Sequence, residues 1–296
     1  MLKSYKKSDL FGYFWILPAF LLICVFSVYP ALSALLHSFT EWDLVNVEFI
    51  GIDNFKRLFS DKIFWKSCGN LLILMSTGLV LGNLAPLVLA ELLHNLKSEK
   101  WSNAYRFIFV IPTLVPGMVN MLIWTKIVFN PFPSGLVNSI LGSLFGASAK
   151  GWYFDENLAL LSMVLTGFPW AAGTSFLIYL AGLNNISESV YEALDLDGIT
   201  AWKRVFYIDL PLLKSQIKYF VMMGIIGAMQ SFSMQLAFTK GGPNYATTVP
   251  GYYMYDRAFF GSEFGYAAAI GFFLFVVTLI VTIINNKFMK STEEVM

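Results

Sequence analysis

The residues with the most organised chemistry are polar and lie close together. Tyr191-Glu192-Ala193-Leu194-Asp195-Leu196-Asp197-Gly198 precedes Ile208-Asp209-Leu210-Pro211 in a chain that is otherwise largely apolar. The spacing predicts two short amphipathic helices with a glycine between them. Ser189-x-x-Glu192 has the form of a capping box. Val190, Ala193 and Leu194 make an apolar stripe at i, i+3 and i+4. Gly198 can take the left-handed conformation that closes a helix, and Thr200 can cap the next one. Trp202, Val205 and Phe206 repeat the stripe, with Lys203 and Arg204 on other faces. Pro211 suits the first turn of a following span. The polar face is mixed and acidic, with Glu188, Glu192, Asp195, Asp197 and Asp209. Helices lying on lipid would be basic there, because an anionic leaflet repels carboxylates. The chemistry implied is docking of a protein partner.

A second set is neutral and lies within apolar stretches: Asn120, Trp124, Gln230, Ser231 and Gln235, with Trp170 and Thr239. Amides and hydroxyls bond directionally without the cost of a buried charge, and aromatic faces stack on sugar rings. These are candidates for a pathway used by a hydroxyl-rich solute. The competing reading is interhelical hydrogen bonding, at about 0.6 kcal/mol per contact. Gln230 and Gln235 do not share one helix face. An acidic saccharide would need a basic group near the pathway, and none lies within the spans.

The elements that must position both sets are membrane helices. The 296 residues are 57% hydrophobic and only 13% charged, against about 25% charged in soluble domains. Six apolar stretches meet the roughly 20 residues that a crossing needs: 11–36, 67–93, 107–125, 158–183, 219–239 and 264–286. Backbone groups in hydrocarbon must be satisfied internally, which makes these helices. Pro18, Pro30, Pro86, Pro112, Pro116 and Pro169 within them imply kinks. Residues 130–157 read as an outer loop with one short helix near Leu136–Phe145. With the N-terminus inside, twelve lysines and arginines fall inside and eight outside, which puts 184–216 and both termini in the cytoplasm. The apolar run behind Lys3, Lys6 and Lys7 is too long for a signal-peptide core and reads as a retained span.

Several functions are excluded or disfavoured. A net charge of +1 does not suit a nucleic-acid binder. Cys24 and Cys68 support neither a disulfide framework nor a thiolate metal site. The chain lacks H-E-x-x-H, G-x-S-x-G and G-x-x-x-x-G-K-[ST], so no catalytic residue, cofactor or metal is expected. No ionisable side chain sits at a span midpoint, where ion-coupled carriers place one. Na⁺ sites made of carbonyls and hydroxyls keep an ion-coupled secondary carrier open as the alternative. A non-transporting scaffold or sensor is a third reading.

At the polar hairpin the chain resembles the permease subunits of bacterial binding-protein-dependent ABC importers, whose coupling loop follows E-A-A-x3-G-x9-I-x-L-P. Glu192, Ala193, Gly198, Ile208, Leu210 and Pro211 match it, and Leu194 replaces the second alanine. Thr239-Lys240-Gly241-Gly242-Pro243, Thr248, Tyr253, Tyr255, Ala258-Phe259 and Gly265-Tyr266-Ala267-Ala268-Ala269 are similar to the carbohydrate-import branch, the maltose- and glycerol-phosphate-like permeases. Leu17-Pro18, Tyr29-Pro30, Asn54-Phe55 and Gly135-x-x-Asn138 extend the likeness over nearly the whole chain.

The resemblance implies an all-α membrane protein, a type I ABC importer permease with six transmembrane helices and a cytoplasmic coupling-helix hairpin. It implies residues 1–63 as tail, first helix and external segment, 64–290 as permease core with a coupling loop at 184–213, and 291–296 as a cytoplasmic tail. Glu192, Ala193, Leu194, Asp197, Gly198, Ile208 and Pro211 would couple to an ATPase. The implied partners are a second permease, two ATPase subunits, an extracytoplasmic solute-binding protein, the lipid bilayer of the bacterial cell membrane and a carbohydrate.

Overall fold

A computed structural model describes residues 5–170 and 173–288, so Lys3, Ala171, Ala172, Lys290 and the expected tail 291–296 lie outside the described residues. The helices in chain order are α1 (Tyr5–Ile23), α2 (Tyr29–His37), α3 (Asp53–Ser60), α4 (Lys62–His94), α5 (Glu99–Val110), α6 (Gly117–Ile123), α7 (Leu136–Phe145), α8 (Ala159–Leu165), α9 (Ser175–Asn184), α10 (Glu188–Leu196), α11 (Ala201–Arg204), α12 (Leu210–Leu212), α13 (Lys214–Gln230), α14 (Pro250–Phe259) and α15 (Phe264–Phe288). One departure from an all-helical chain is a small antiparallel hairpin between α2 and α3. Its strands β1 (Thr40–Trp42) and β2 (Val47–Phe49) pair Glu41 with Glu48. Asp43 Oδ1 closes its turn by accepting from the amides of Val45 and Asn46.

Four helical stretches are long and apolar enough to cross a membrane: Gly12–His37, Lys62–His94, Lys214–Thr239 and Phe264–Asn285. The expected third span is not one straight helix. Glu99–Leu114 and Gly117–Val128 meet at 94°. Pro116 forces Val115 into extended backbone (ψ 123°). The expected fourth span is likewise divided, into the seven residues of α8 and the ten of α9. Gly167, Trp170 and Gly173 between them all have positive φ, which no helix continues through.

Two wide π turns have a common cause. Cys24–Val28 precedes Pro30, and Val205–Asp209 precedes Pro211. A proline offers no N–H to the carbonyl four residues earlier. That carbonyl falls inside the wide turn each time, at Phe26 and at Tyr207. The ladder shifts to i→i−5 bonds, Tyr29 N–H to Cys24 O and Leu210 N–H to Val205 O.

The described residues form two compact units. The first runs to Phe64 and takes in Tyr253–Val276, a return of the chain that a linear division at residue 63 does not contain. Asn54 is buried there and donates Nδ2 to the carbonyls of Ser38 (3.1 Å) and Thr40 (2.9 Å). Gly265 lies so close to the Thr40 carbonyl that any Cβ would collide with it. Asp61 caps α4: Oδ1 accepts from the amides of Ile63 (2.8 Å) and Phe64 (3.2 Å). Its Oδ2 accepts the hydroxyls of Tyr253 (2.6 Å) and Tyr266 (2.7 Å).

The second unit runs Trp65–Tyr252 and resumes at Val277. Its core gathers Ala90, Phe176, Tyr179, Leu183 and Leu213. Tyr179 is fully buried and donates its hydroxyl to Asn83 Oδ1 at 2.8 Å. Helix α4 defines two ends of this unit, about 42 Å apart between Lys66 and His94 at 1.5 Å per residue. Near one end Lys66 bonds Glu156 and the Asn244 carbonyl, and Asn70 donates to the carbonyls of Tyr245 and Thr248. At the other, His94 meets Asn184 and Tyr191. The first is the loop end and the second the hairpin end.

Burial works to raise the Asp61 pKa, but the two tyrosine hydroxyls and two amides hold it below the usual aspartate value. A carboxyl depressed in the folded state adds stability above its unfolded pKa of about 4, and that stability is lost as pH falls through the lower folded value. Asp61→Asn is expected to cost about 2 kcal/mol, the scale of hydrogen bonds to a charged group. Thermal melts of the detergent-purified chain should show a lower Tm at pH 7 and a shallower decline between pH 5 and 3. Identical acid limbs for the two proteins would refute this role.

Candidate functional site

The hairpin forms where the sequence puts it, with a different start. Helix α10 begins at Glu188, and Ser187, not Ser189, takes the extended N-cap conformation (ψ 140°). The Ser189–Glu192 capping box therefore does not form. Ser189 already lies in the first turn, and its hydroxyl meets that of Ser187 at 3.1 Å. The far end is as expected. Gly198 has φ +66°. Its amide donates to Asp195 O (3.2 Å) and the Ile199 amide donates to Leu194 O (3.1 Å), the paired bonds of a Schellman motif. Thr200 stands at the N-cap of α11 without a side-chain cap bond. The second helix is only four residues long before the π turn imposed by Pro211.

Leu194 is buried, while Glu192, Ala193, Asp197 and Gly198 are exposed. The leucine that departs from the E-A-A pattern thus points into the protein. Ile208 is half-buried and Pro211 exposed. Leu196 is 90% exposed and Trp202 75% exposed. Trp202 stacks on Phe206 with ring centroids 6.2 Å apart. The hairpin thus exposes large apolar and aromatic side chains together with the carboxylates of Glu192, Asp195 and Asp197.

A regular helix would put Asp209 on that acidic outer face, but it has no exposed surface. Its Oδ2 accepts Arg204 Nε at 3.0 Å and its Oδ1 accepts the Tyr191 hydroxyl at 3.2 Å. Arg204 also donates to Asn95 Oδ1 at 2.7 Å, stands 3.9 Å from Glu91 and lies over the Tyr191 ring. Burial first, then the Asp209 charge, push the Tyr191 phenol up, so it stays a donor. Arg204 in this way ties both hairpin helices to the end of α4. The local sequence carries a signal for it. A charged pair five residues apart around a proline-induced π turn brings the two side chains onto one side of the turn.

The neutral pathway candidates separate. Asn120, Gln230 and Ser231 are exposed on the isolated chain. Gln230 and Ser231 mark the end of α13, where the backbone turns extended at Ser231 (ψ 127°). Trp124 is half-buried against Phe129, with ring centroids 5.6 Å apart. Gln235 is 3% exposed and donates Nε2 to the Thr247 carbonyl at 3.1 Å. It holds the 240–250 loop instead of facing a pathway. Thr239 accepts the Thr247 hydroxyl at 2.8 Å, and Trp170 donates Nε1 to Val164 O at 3.2 Å.

The loop motifs have equally specific work. Asn138 is buried and bridges the whole 130–152 loop, donating Nδ2 to the carbonyls of Asn130 (3.0 Å), Phe132 (3.2 Å) and Lys150 (3.1 Å). Its Oδ1 accepts from the Lys150 amide and Trp152 Nε1, each at 3.0 Å. Gly135 abuts the Asn130 carbonyl with no room for a Cβ. The Thr248 hydroxyl donates to the Gly241 carbonyl at 2.9 Å.

Residues 82–293 match the pattern of the family described as binding-protein-dependent transport system inner membrane component. The probable ABC transporter permease protein YesP of Bacillus subtilis is 32% identical, over 96% of this chain and 92% of its own length. The arabinooligosaccharides transport system permease protein AraP of the same organism is 32% identical over 93% of this chain and 87% of its own. A crystal structure of a bacterial alginate ABC transporter, in complex with an alginate pentasaccharide-bound periplasmic protein, contains a chain of the same fold. The TM-score is 0.84 at 22% identity, covering 97% of this chain and 96% of that one. The coupling-loop spacing, the fold and relatives aligned over almost the full length lead to one conclusion: the chain belongs to the inner-membrane components of binding-protein-dependent transport systems, the permeases of type I ABC importers.

Proposed function

We propose that the chain is one of two permease subunits lining the pathway of an ATP-driven oligosaccharide importer. A second permease pairs with it in the membrane, two ATPase subunits bind its hairpin, and an extracytoplasmic solute-binding protein delivers the sugar. Both termini and the hairpin then face the cytoplasm, and residues 64–290 are the permease core. The observation that carries this reading is the hairpin: it exposes Trp202, Phe206 and Glu192, and it is anchored by the ion pair between Arg204 and the buried Asp209. A helix pair built to follow lipid needs no such anchor. A helix pair built to pass on a push does. Relatives named for arabinooligosaccharide, lactose and multiple-sugar transport support the saccharide class, as does the neutral, aromatic character of Asn120, Trp124, Gln230 and Ser231. The chain itself performs no catalysis in this scheme. Hydrolysis belongs to the ATPase partners, whose closure would drive the permeases between inward-open and outward-open states.

Gly198→Asp places a side chain at φ +66°, which costs about 1 kcal/mol of local strain, and it adds a charge to the exposed hairpin surface. It and Glu192→Lys are expected to reduce sugar accumulation by cells at least tenfold while the chain still inserts in the membrane. Normal accumulation in both variants would sink the proposal. Arg204→Ala leaves Asp209 buried without its cation, a change worth about 3–5 kcal/mol. Co-purification of the ATPase subunits should then fall sharply even where membrane levels of the chain are retained. Undiminished co-purification would mean that the pair does not hold the docking geometry.

A further inference from the structure

A cleft of about 480 Å³ opens at the loop end of the second unit, within the size range of small-ligand sites. Lys126, Asn130, Phe132, Phe154, Phe238 and Thr239 contribute to its walls. Among the described residues no carboxylate lines it. Phe132 and Phe154 are 67% and 70% exposed, which is costly for two phenyl rings that merely pack and useful for rings that stack on a ligand. The walls are preorganised. The five Asn138 bonds fix the loop that carries Asn130 and Phe132, and Gly135 lets the backbone pack closely on the Asn130 carbonyl. Tyr153, also in the wall, has its hydroxyl hydrogen-bonded to that of Thr166 at 2.7 Å, and burial pushes that phenol up to about 12. Lys126 is the basic side chain among the described lining residues.

Lys126 sits inside the π turn Trp124–Val128, one residue beyond the expected end of span three. It is exposed and, among the described residues, has no carboxylate within ion-pair distance. The nearby Lys66, by contrast, pairs with Glu156 at 3.3 Å. A cation without a carboxylate partner, beside open aromatic faces and an amide, has the composition of a site for a sugar ring that bears an acid. The ring's apolar face would lie on Phe132 or Phe154, and its carboxylate would meet the ammonium.

We propose that this cleft is a subsite for one ring of an anionic saccharide, with Lys126 selecting the charged ring over a neutral one. This deepens the importer reading and rests on it for the substrate class. It places first contact with the sugar at the loop-end mouth of the chain, some distance along α13 from the hairpin.

The test uses the full-length chain, purified in a neutral detergent and probed by saturation-transfer NMR with trigalacturonate or, separately, with maltotriose. Transfer to trigalacturonate ring protons is expected, at affinity at least tenfold above that for maltotriose and weakening as NaCl is raised. Lys126→Gln should remove that preference, and Phe154→Ala should weaken both ligands. Both side chains are exposed, so neither variant threatens the fold. Equal affinity for the two saccharides, no transfer from either, or a trigalacturonate signal unchanged in both variants overturns the proposal. So does loss of the signal only when phosphatidylglycerol is added, which would identify the ligand as a lipid headgroup. The measurement needs no ATPase. A negative result here would therefore leave the importer reading standing or falling on sugar uptake by the Gly198→Asp and Glu192→Lys cells.

Discussion

A carboxylate with no exposed surface has to be compensated, and Asp209 is compensated by Arg204. That single requirement fixes the hairpin. Unpaired, the buried charge would cost several kcal/mol; an exposed ion pair elsewhere on the chain contributes well under 1. The exposed Lys56–Asp53 pair at 2.6 Å is shorter than Arg204–Asp209 at 3.0 Å and still matters less, because water screens it. Since Arg204 also reaches Asn95 and covers the Tyr191 ring, the second hairpin helix cannot shift without disturbing the first helix and the end of α4. The stripe residues that the pair does not need are then free to face outward.

The neutral amides follow a related rule at the loop end. Loops leaving a bundle of apolar helices carry carbonyls that helices cannot satisfy. Asn70, Asn138 and Gln235 each donate to carbonyls across such a loop. An amide suits the task because it supplies two donors without a charge to bury. An amide in an apolar stretch is therefore ambiguous by nature: the same chemistry that binds a hydroxylated solute also closes a loop.

That ambiguity separates what is legible in the sequence from what is not. Residues 136–145 are legible as a helix because apolar periodicity and Gly146 at its end are local signals, and Gly146 does take φ +63°. Gly198 is legible for the same reason. Four of the six expected spans have a helical stretch long and apolar enough to cross a membrane, because composition alone specifies them. The broken third and fourth are harder to read, since a proline in a span can either kink a helix or end it, and packing decides which. The Ser189 cap fails because Ser187 is an equally good N-cap two residues earlier, and the chain uses the earlier one. Asp209 departs from its expected face because Val205–Asp209 is not a regular helix. The π turn rotates the face by most of a residue and carries the carboxylate inward. Gln235 cannot be told from a pathway residue locally, because its partner, the Thr247 carbonyl, is twelve residues away.

The course of α13 joins the two ends of the second unit into one mechanical element. It starts directly after the hairpin, behind Pro211 and the buried Leu213, and runs without a break to Gln230. Gly224 sits against the Leu79 side chain of α4, where an added Cβ would meet it, so the two helices pack closely partway along. A displacement applied at the hairpin is therefore carried along α13 as a rigid rod, with no proline or wide turn to absorb it. The first place where the chain can yield is Ser231, where the backbone leaves helical geometry before the π turn Gln235–Thr239. Gln230 and Ser231 stand at that yield point, and the loop beyond it is pinned through Gln235 and Thr239. On the proposed function, a push at the hairpin would act first on the pair of exposed polar side chains at the break.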